Sequence, residues 1–221
     1  MPAFGPGALV QEQTPSPTPT PSPTPEAPSP TPEPIEVTIE WTPRHSTTIE
    51  IGVGQALSIT LDTRRQGGVA PNAEVDVAAT NGLVSVDGNR STTVTTDEKG
   101  MASLELVASQ NQGDDTLQVS GASVAATQPI QVRVLPVATT LRDLHLRTEP
   151  VMARTKWVSE IAEKSGSSFV ILGTHPCYAV DGTAEAGIPC YLVRNSEGMK
   201  SWLEGGDGNI DIEPSDAKVE D

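Results

Sequence analysis

Aromatic residues are scarce in this sequence: they make up 3% of its 221 residues, and the seven present are unevenly placed. Two lie before residue 42, and the other five lie after residue 156. The long region between them must therefore build its core from aliphatic side chains. This asymmetry predicts two different hydrophobic cores rather than one.

Long apolar runs and basic stretches are also lacking. No run of 18 apolar residues occurs, so no segment of this sequence is predicted to insert into a membrane. The net charge is −15, and the sequence contains no basic stripe, which argues against nucleic acid and anionic lipid headgroups as partners. We interpret the acidity as a source of solubility, with binding of cationic ligands as the alternative.

Motifs for catalysis are missing as well. The sequence contains no G-x-S-x-G elbow, P-loop, G-x-G-x-x-G or H-E-x-x-H motif, and its three histidines fall in different segments. The segment Asp207–Asp211 is similar to the start of a calcium loop, but Ile212 and Lys218 stand where that loop needs glycine and glutamate. We therefore predict a non-catalytic protein with no cofactor and no metal site.

The segment Thr14–Pro34 contains ten of the chain's 20 prolines. Proline lacks an N–H and fixes its own φ, so neither a helix nor a central strand can form there. Such a segment favours polyproline II, at about 3.1 Å per residue, and would span about 60 Å. We predict that residues 1–34 are a disordered Pro/Thr/Ser-rich linker. A spacer needs an attachment point, so we expect a signal or anchor upstream and an extracellular or cell-surface location.

Between residues 35 and 136, apolar and polar residues alternate in short runs separated by glycine-containing turns. A period of two places the apolar side chains on one face of a strand, and this many short strands without a helical period predict a β-sandwich. The nine candidate strands are Ile35–Trp41, Thr48–Ile51, Ala56–Leu61, Ala73–Ala78, Leu83–Val86, Thr92–Thr95, Ala102–Val107, Asp115–Ser120 and Ile130–Val134.

Three segments of this region follow one another in a distinctive order: Gly68–Val75, then Thr95–Ala102, then Gly113–Val119. The middle one has the sequence Thr-Thr-Asp-Glu-Lys-Gly-Met-Ala. Together they resemble the bacterial immunoglobulin-like domains of invasin and intimin type. The resemblance implies an immunoglobulin-like sandwich that acts as a stalk or spacer on a cell surface.

Residues 137–206 are richer in aromatic residues and predict a small β-barrel of five strands. The candidate strands are Thr140–Pro150, Trp157–Ala162, Ser168–Gly173, Cys190–Arg194 and Met199–Glu204. A loop, Tyr178–Pro189, is predicted between the third and fourth strands. The acidic residues 207–221 are predicted to form a disordered tail. The whole chain is thus expected to be all-β, with disordered ends.

Three short motifs in residues 139–206 point to a known family. These are Leu144–Pro150, with the sequence Leu-His-Leu-Arg-Thr-Glu-Pro, then Tyr191–Arg194, and finally Ser201-Trp202-Leu203. In this order they resemble the bacterial SH3-like domain. The resemblance implies a barrel that binds cell-wall peptidoglycan or another extracellular peptide or glycan.

The only two cysteines, Cys177 and Cys190, bracket the predicted loop. An even number of cysteines behind a surface-type spacer favours one disulfide, which would stabilise the barrel by about 3 kcal/mol in the chain-entropy model. Two free thiols are the main alternative. A metal site would need ligands beyond the single nearby His175.

Aromatic side chains supply the candidate ligand-binding residues, because barrels of this type offer shallow aromatic grooves to extended peptides or glycans. The candidates are Tyr178, Tyr191, Trp157, Trp202 and Arg147. The alternative for Trp157, Phe169 and Trp202 is a purely structural place in the core. We expect a monomer whose barrel binds the cell wall while the sandwich sets its distance. The alternative function is a structural stalk, or an accessory region of a larger surface protein or wall hydrolase.

Overall fold

A computed structural model of the chain describes residues 33–42, 47–66, 68–152, 162–179, 181–206 and 208–219. Every regular element in these ranges is a β-strand, which confirms the all-β prediction. The predicted linker lies outside the described residues except at Glu33 and Pro34. Among the described residues, no helix has the length and apolar character needed to cross a membrane.

Two sheets built from the first ten strands form an immunoglobulin-like sandwich. In one sheet the order is β1-β3-β8-β6, with β4 added to β3, and in the other it is β2-β10-β9-β5-β7, with β2 parallel to β10. The strands are β1 (Glu36–Trp41), β2 (Ile49–Gly52), β3 (Ala56–Arg65), β4 (Gly68–Val69), β5 (Glu74–Ala79), β6 (Val84–Val86), β7 (Ser91–Thr95), β8 (Met101–Ala108), β9 (Gly113–Ser120) and β10 (Ile130–Leu135).

Each of the nine runs predicted from alternation corresponds to one of these strands; the two-residue β4 was not predicted. Most apolar side chains of these strands point between the sheets, where they form a core of Val, Ile, Leu and Ala with Trp41 at its margin; Val69 of β4 and Met101 of β8 are exposed. The aliphatic core expected from the scarcity of aromatic residues is therefore present.

The Thr95–Ala102 motif forms the turn that leads into β8. Asp97 accepts hydrogen bonds from the N–H groups of Lys99 and Met101, both at 2.8 Å, and the Gly100 N–H donates to the Asp97 carbonyl at 2.9 Å. The buried hydroxyl of Thr96 accepts from the Ala73 N–H at 3.0 Å and so ties the turn to the segment before β5. The motif is therefore a structural element of the sandwich.

Gly100 is required in this turn for two reasons. Its φ is +73°, and a Cβ built on it would lie 2.7 Å from the carbonyl oxygen of Thr63. We expect Gly100→Ala to lower the free energy of unfolding by about 2 kcal/mol, because it combines left-handed strain with a backbone clash. Urea denaturation measures this. Gly88→Ala is the matched control, since its φ of +76° imposes the same strain but its Cβ would meet nothing. An equal loss in the two variants would contradict the clash.

The last five strands form a third sheet, the C-terminal sheet, in the order β14-β13-β12-β11-β15. They are β11 (Val137–Thr140), β12 (Ser168–Tyr178), β13 (Ala184–Arg194), β14 (Lys200–Glu204) and β15 (Ile210–Glu213). This sheet has its own hydrophobic cluster, separate from that of the sandwich, formed by Ala138, Leu144, Leu146, Phe169, Ile171, Val193 and Leu203.

A bridging segment, residues 144–152, joins the two edges of the β12–β13–β14 part of this sheet. Arg147 pairs with Trp202 on β14, and Val151 pairs with Tyr178 on β12. The backbone N–H groups of Arg147 and Trp202 donate to each other's carbonyl oxygens at 2.8 Å. This part of the sheet therefore closes on itself as a small barrel would. An SH3-like assignment of it stays a prediction.

Three predictions about this region are wrong. Thr140–Pro150 is not a continuous strand: β11 ends at Thr140, and the residues after it make only isolated bridges. The predicted loop Tyr178–Pro189 is largely strand, because β12 and β13 extend past the cysteines as a long hairpin. Within the predicted disordered tail, residues 208–219 are ordered. The alternation Ile210-Asp211-Ile212 lets β15 pair with β11 while both isoleucines pack on the core. Residues 157–161 of another predicted strand lie outside the described residues.

The sandwich and the C-terminal sheet meet without a linker. β10 ends at Leu135 and β11 begins at Val137, while the Pro136 carbonyl accepts a hydrogen bond from the Ile171 N–H at 2.8 Å. Arg194 on β13 reaches back to β2, where its guanidinium donates to the Glu50 carboxylate at 2.5 Å and to the Glu50 carbonyl at 3.0 Å. The side chain of Arg194 is only 8% exposed, so this pair is screened from solvent and fixes the junction.

Candidate functional site

Three aromatic rings come together on the outer side of the C-terminal sheet, and we call them the ring face: His175, Tyr178 and Trp202. The centre of the His175 ring lies 5.4 Å from that of Tyr178 and 6.1 Å from that of Trp202, which it meets edge-on. His175 is exposed, and the other two rings are half-buried. The ring face is thus a surface patch with a histidine at its centre.

Strand alternation and an irregularity in strand pairing place these rings. On β14, Ser201 and Leu203 point into the core, so Trp202 between them points outward. The register between β12 and β13 shifts after Pro176, where Cys177 alone stands against residues 185–188 of β13, so the extra residues belong to β13. Regular pairing is lost at this point. The Tyr178 ring lies next to the His175 ring, although a regular strand would place residues three apart on opposite sides of the sheet.

The predicted disulfide is confirmed and lies beside the ring face. Cys177 and Cys190 are joined by an S–S bond of 2.06 Å, and both are fully buried. In the register of the sheet, Cys190 stands opposite His175 on one side and opposite Glu204 on the other. The bond therefore holds β12 and β13 together at the level of the three rings.

Arg147 contacts β14, the strand that carries Trp202. Its guanidinium donates to the Glu204 carboxylate at 3.0 Å and is only 11% exposed. Its backbone is paired with Trp202, as described above. In this structure Arg147 holds β14 in place, and its charge is directed to Glu204 rather than to solvent.

The remaining two predicted binding residues are not brought to the ring face. Tyr191 lies opposite Thr174 and Leu203, and its ring packs against the hydrophobic cluster on the inner side of the sheet. Its burial raises the pKa of its phenol. Trp157 lies outside the described residues. Of the five predicted residues, the structure therefore brings Tyr178 and Trp202 together through His175.

Sequence reasoning considered His175 only as a possible catalytic residue or metal ligand and missed its place among the rings. The available signal was its position two residues before Cys177. A disulfide between neighbouring strands requires a nearby strand pairing, which would have placed His175 close to Cys190. The register shift beside Tyr178 leaves no such trace in the sequence.

The chemistry of the ring face combines apolar surfaces with a few polar atoms. The Nδ1 atom of His175 lies 3.0 Å from the Pro176 carbonyl oxygen. A carbonyl can only accept a hydrogen bond, so Nδ1 donates and Nε2 is left as the nitrogen that can meet a ligand. A cluster of rings of this kind suits the apolar face of a sugar or an extended peptide. Among the described residues, no three His, Cys, Asp or Glu side chains are grouped so that they could hold a metal ion.

Neither a protein-family model nor a curated protein matches the chain. Among solved structures, it is similar to the adhesin InvE of Yersinia pseudotuberculosis, with 17% identity over 77% of this chain and a TM-score of 0.38. It is also similar to the D0-D1 domain of intimin, with 20% identity over 45% of this chain and a TM-score of 0.30. A third is the Escherichia coli adhesin FdeC, with 10% identity over 73% of this chain and a TM-score of 0.35.

The chain spans less than half the length of each of these structures, namely 47%, 44% and 41%. They are adhesins of the class that the motifs in the sandwich resemble.

Proposed function

We propose that this chain is a non-catalytic part of a bacterial cell-surface protein, in which the C-terminal sheet binds an extended glycan or peptide of the cell wall. The observation that supports this most is the ring face. Three aromatic side chains meet on the outer side of a small sheet, where no core requires them. Carbohydrate and peptide sites often combine such rings with a few polar atoms.

The supporting structure around the rings agrees with a binding role. A site keeps its geometry when rigid elements and hydrogen-bonded partners hold its side chains. Here the disulfide fixes β12 against β13, and Arg147 with Glu204 fixes β14. The rings therefore project from a part of the sheet that is held on both sides.

The disulfide also supports a location outside the cytosol. Such bonds persist in oxidising compartments and are rare where glutathione and thioredoxin keep thiols reduced. The Pro/Thr-rich linker fits a surface protein, because it would hold the folded part away from an anchor. In this proposal the sandwich acts as a rigid spacer between the linker and the ring face.

A purely structural stalk is the second candidate function, and the junction between the sandwich and the C-terminal sheet favours it. The absence of a linker between β10 and β11, together with the shielded Arg194–Glu50 pair, makes a stiff rod-like connection. A stalk needs such stiffness and needs no ligand. Binding measurements separate the two functions.

The test of the proposed function is cosedimentation of the full chain with purified peptidoglycan. We expect saturable binding, and we expect Trp202→Ala to weaken it about tenfold, because aromatic anchors dominate such contacts. Met199→Ala is the matched control: this neighbouring side chain is 44% exposed but lies outside the ring face. Thermal melts of both variants check that they are folded. No binding would leave the stalk as the function, and equal binding by both variants would show that the ring face is not the binding site.

A further inference from the structure

The first strand of the sandwich has one hydrogen-bonding edge that no other strand of the described residues covers. β1 is the last strand of its sheet and pairs on one side with β3. Along a strand, the backbone groups of successive residues point to alternate edges. The direction of each backbone group of β1 therefore decides whether it bonds to β3 or lies at the outer edge of the sheet.

The register assigns these directions. The Thr63 N–H donates to the Gly100 carbonyl, on the β8 side of β3. The backbone groups of odd-numbered β3 residues therefore point toward β8, and those of even-numbered residues point toward β1. The even-numbered residues of β1 stand opposite them and bond to β3. The backbone groups of Val37 and Ile39 must then point to the outer edge of β1.

At the start of β1, the chain itself uses this edge. The Ile35 N–H donates to the Ser123 carbonyl at 2.7 Å, and the Ala125 N–H donates to the Ile35 carbonyl at 2.8 Å. Continued pairing would bring Thr127 to Val37. Instead, the Thr127 hydroxyl bonds to Val119 on β9, and the segment leaves β1. Within the described part of the chain, the outer-edge groups of Val37 and Ile39 have no backbone partner.

The separation of the two segments leaves a cleft of about 470 Å³ beside this edge. Its apolar lining comes from both sheets and includes Val37, Ile39, Val119, Ala125 and Ile130. An extended segment added to β1 would satisfy the free backbone groups and place every second side chain in this cleft. This is the geometry of β-strand addition, in which the backbone supplies affinity and the cleft supplies specificity.

Charge decides which strand fits. The alternate residues of β1 that face solvent include Glu36 and Glu40, both exposed. A second copy of this chain, paired antiparallel about Thr38, would set Glu36 opposite Glu40, and like charges in directly opposite positions are destabilising. A strand with lysine or arginine at those positions would form favourable pairs instead.

We infer that the outer edge of β1 is a docking site for an extended segment of another protein, with basic residues on the outward face and small apolar residues on the inward face. This site lies on the sandwich, is separate from the ring face and does not depend on the proposed function. Its partner is recognised by backbone pairing, by apolar side chains in the cleft and by opposite charge.

The test uses a capped heptapeptide of alternating lysine and valine, measured against the full chain by titration calorimetry. We expect saturable binding in a one-to-one ratio that weakens as salt rises. Val37→Pro removes the free N–H without touching the β3 pairing, which is tolerated at an edge. It should weaken binding at least about tenfold, which corresponds to the loss of two or three cross-strand pairs.

Two further comparisons separate strand addition from general attraction to an acidic surface. The same peptide with N-methyl groups on the valines should not bind, which tests backbone pairing without altering the protein. Glu40→Lys should weaken binding of the lysine peptide. Glu74→Lys should leave it unchanged, although both glutamates are exposed strand residues that stand opposite a threonine.

Several outcomes would overturn the inference. Absence of saturable binding would mean that the edge is covered in the whole chain. Equal binding of the N-methylated peptide would show that backbone pairing is not needed. Equal weakening by Glu74→Lys would show that the peptide binds through non-specific electrostatic attraction to the acidic surface. The contrary result in sedimentation is a dimer whose fraction rises with concentration and which Val37→Pro abolishes. This result would show that the outer edge of β1 binds a second copy of the chain.

Discussion

Replacing Asp115 with asparagine is expected to lower the free energy of unfolding by about 4 kcal/mol, the largest effect of any single substitution considered for this protein. Asp115 lies on β9 and is fully buried in the sandwich. A buried carboxylate is tolerated only when hydrogen bonds satisfy both of its oxygens. The surroundings of Asp115 meet this condition completely.

The partners of Asp115 are five backbone N–H groups, four of which lie between the end of β5 and the first residue of β6. One oxygen accepts from Thr80, Asn81 and its own neighbour Thr116 at 3.1, 2.7 and 2.7 Å, and the other accepts from Leu83 and Val84 at 2.8 and 3.2 Å. The carboxylate therefore organises the connection between β5 and β6. Asparagine would turn an N–H₂ group toward some of these donors and leave them unsatisfied.

The same contacts set the pH dependence of stability. Burial by itself raises the pKa of Asp115, but the hydrogen bonds from Asn81, Thr116, Val84 and Leu83 together outweigh it, so the pKa lies below its ordinary value. A group whose pKa is lower in the folded state stabilises above its unfolded pKa of about 3.9. This contribution is lost as the pH falls through the folded pKa. Asp115→Asn should lack this part of the acid destabilisation.

Urea denaturation at pH 7 and at acid pH measures both effects. Asp114→Asn is the matched control, because the adjacent Asp114 side chain is 73% exposed and makes only a surface ion pair with Arg133. Its loss should be below about 1 kcal/mol, the usual value of an exposed pair. Similar losses in the two variants would show that the loop does not depend on the buried carboxylate.

Much of the sandwich could be predicted because one simple signal determines its strands. In runs such as Val75-Asp76-Val77, every second residue is apolar, and each is buried while its neighbour is exposed. Glycine-containing turns separate the runs, so the ends of the strands could also be predicted. The role of Asp115 could not be predicted, since its partners are backbone groups up to 35 residues away, which leave no side-chain pattern.

The C-terminal sheet was harder to predict, and its errors share a cause. Pro176, Pro189 and Gly187 interrupt the hairpin, so the outer parts of β12 and β13 looked like a loop. Ile210 and Ile212 alternate with acidic residues over only four positions, and the high acidity of the surrounding segment led to the prediction of a disordered tail instead of a strand. In both cases pairing with a neighbouring strand outweighs weak local preference. The ring face was equally hard to predict, because strand pairing with a register shift, rather than a sequence motif, brings its members together.

Removing the disulfide with Cys177→Ala and Cys190→Ala together is expected to lower the free energy of unfolding by about 3 kcal/mol, because the bond closes a loop across the hairpin. The sequence separation of the cysteines is 13, and both are fully buried, so alanine introduces no unsatisfied polar atom. The sandwich has its own hydrophobic core and hydrogen-bond network. The loss should therefore be concentrated in the C-terminal sheet.

Hydrogen exchange of individual amides locates the effect. The amides of Tyr178, bonded to Pro150, and of Gly205, bonded to Pro189, lie next to the cysteines and should lose protection in the double variant. The amides of Asn81 and Leu83, bonded to Asp115, should keep theirs. Binding at the ring face should weaken in the double variant as well, because β12 carries both His175 and Tyr178 and the disulfide joins it to β13. Uniform loss at all four amides would instead show that the sandwich and the C-terminal sheet unfold as one cooperative unit, joined through the buried Arg194–Glu50 pair.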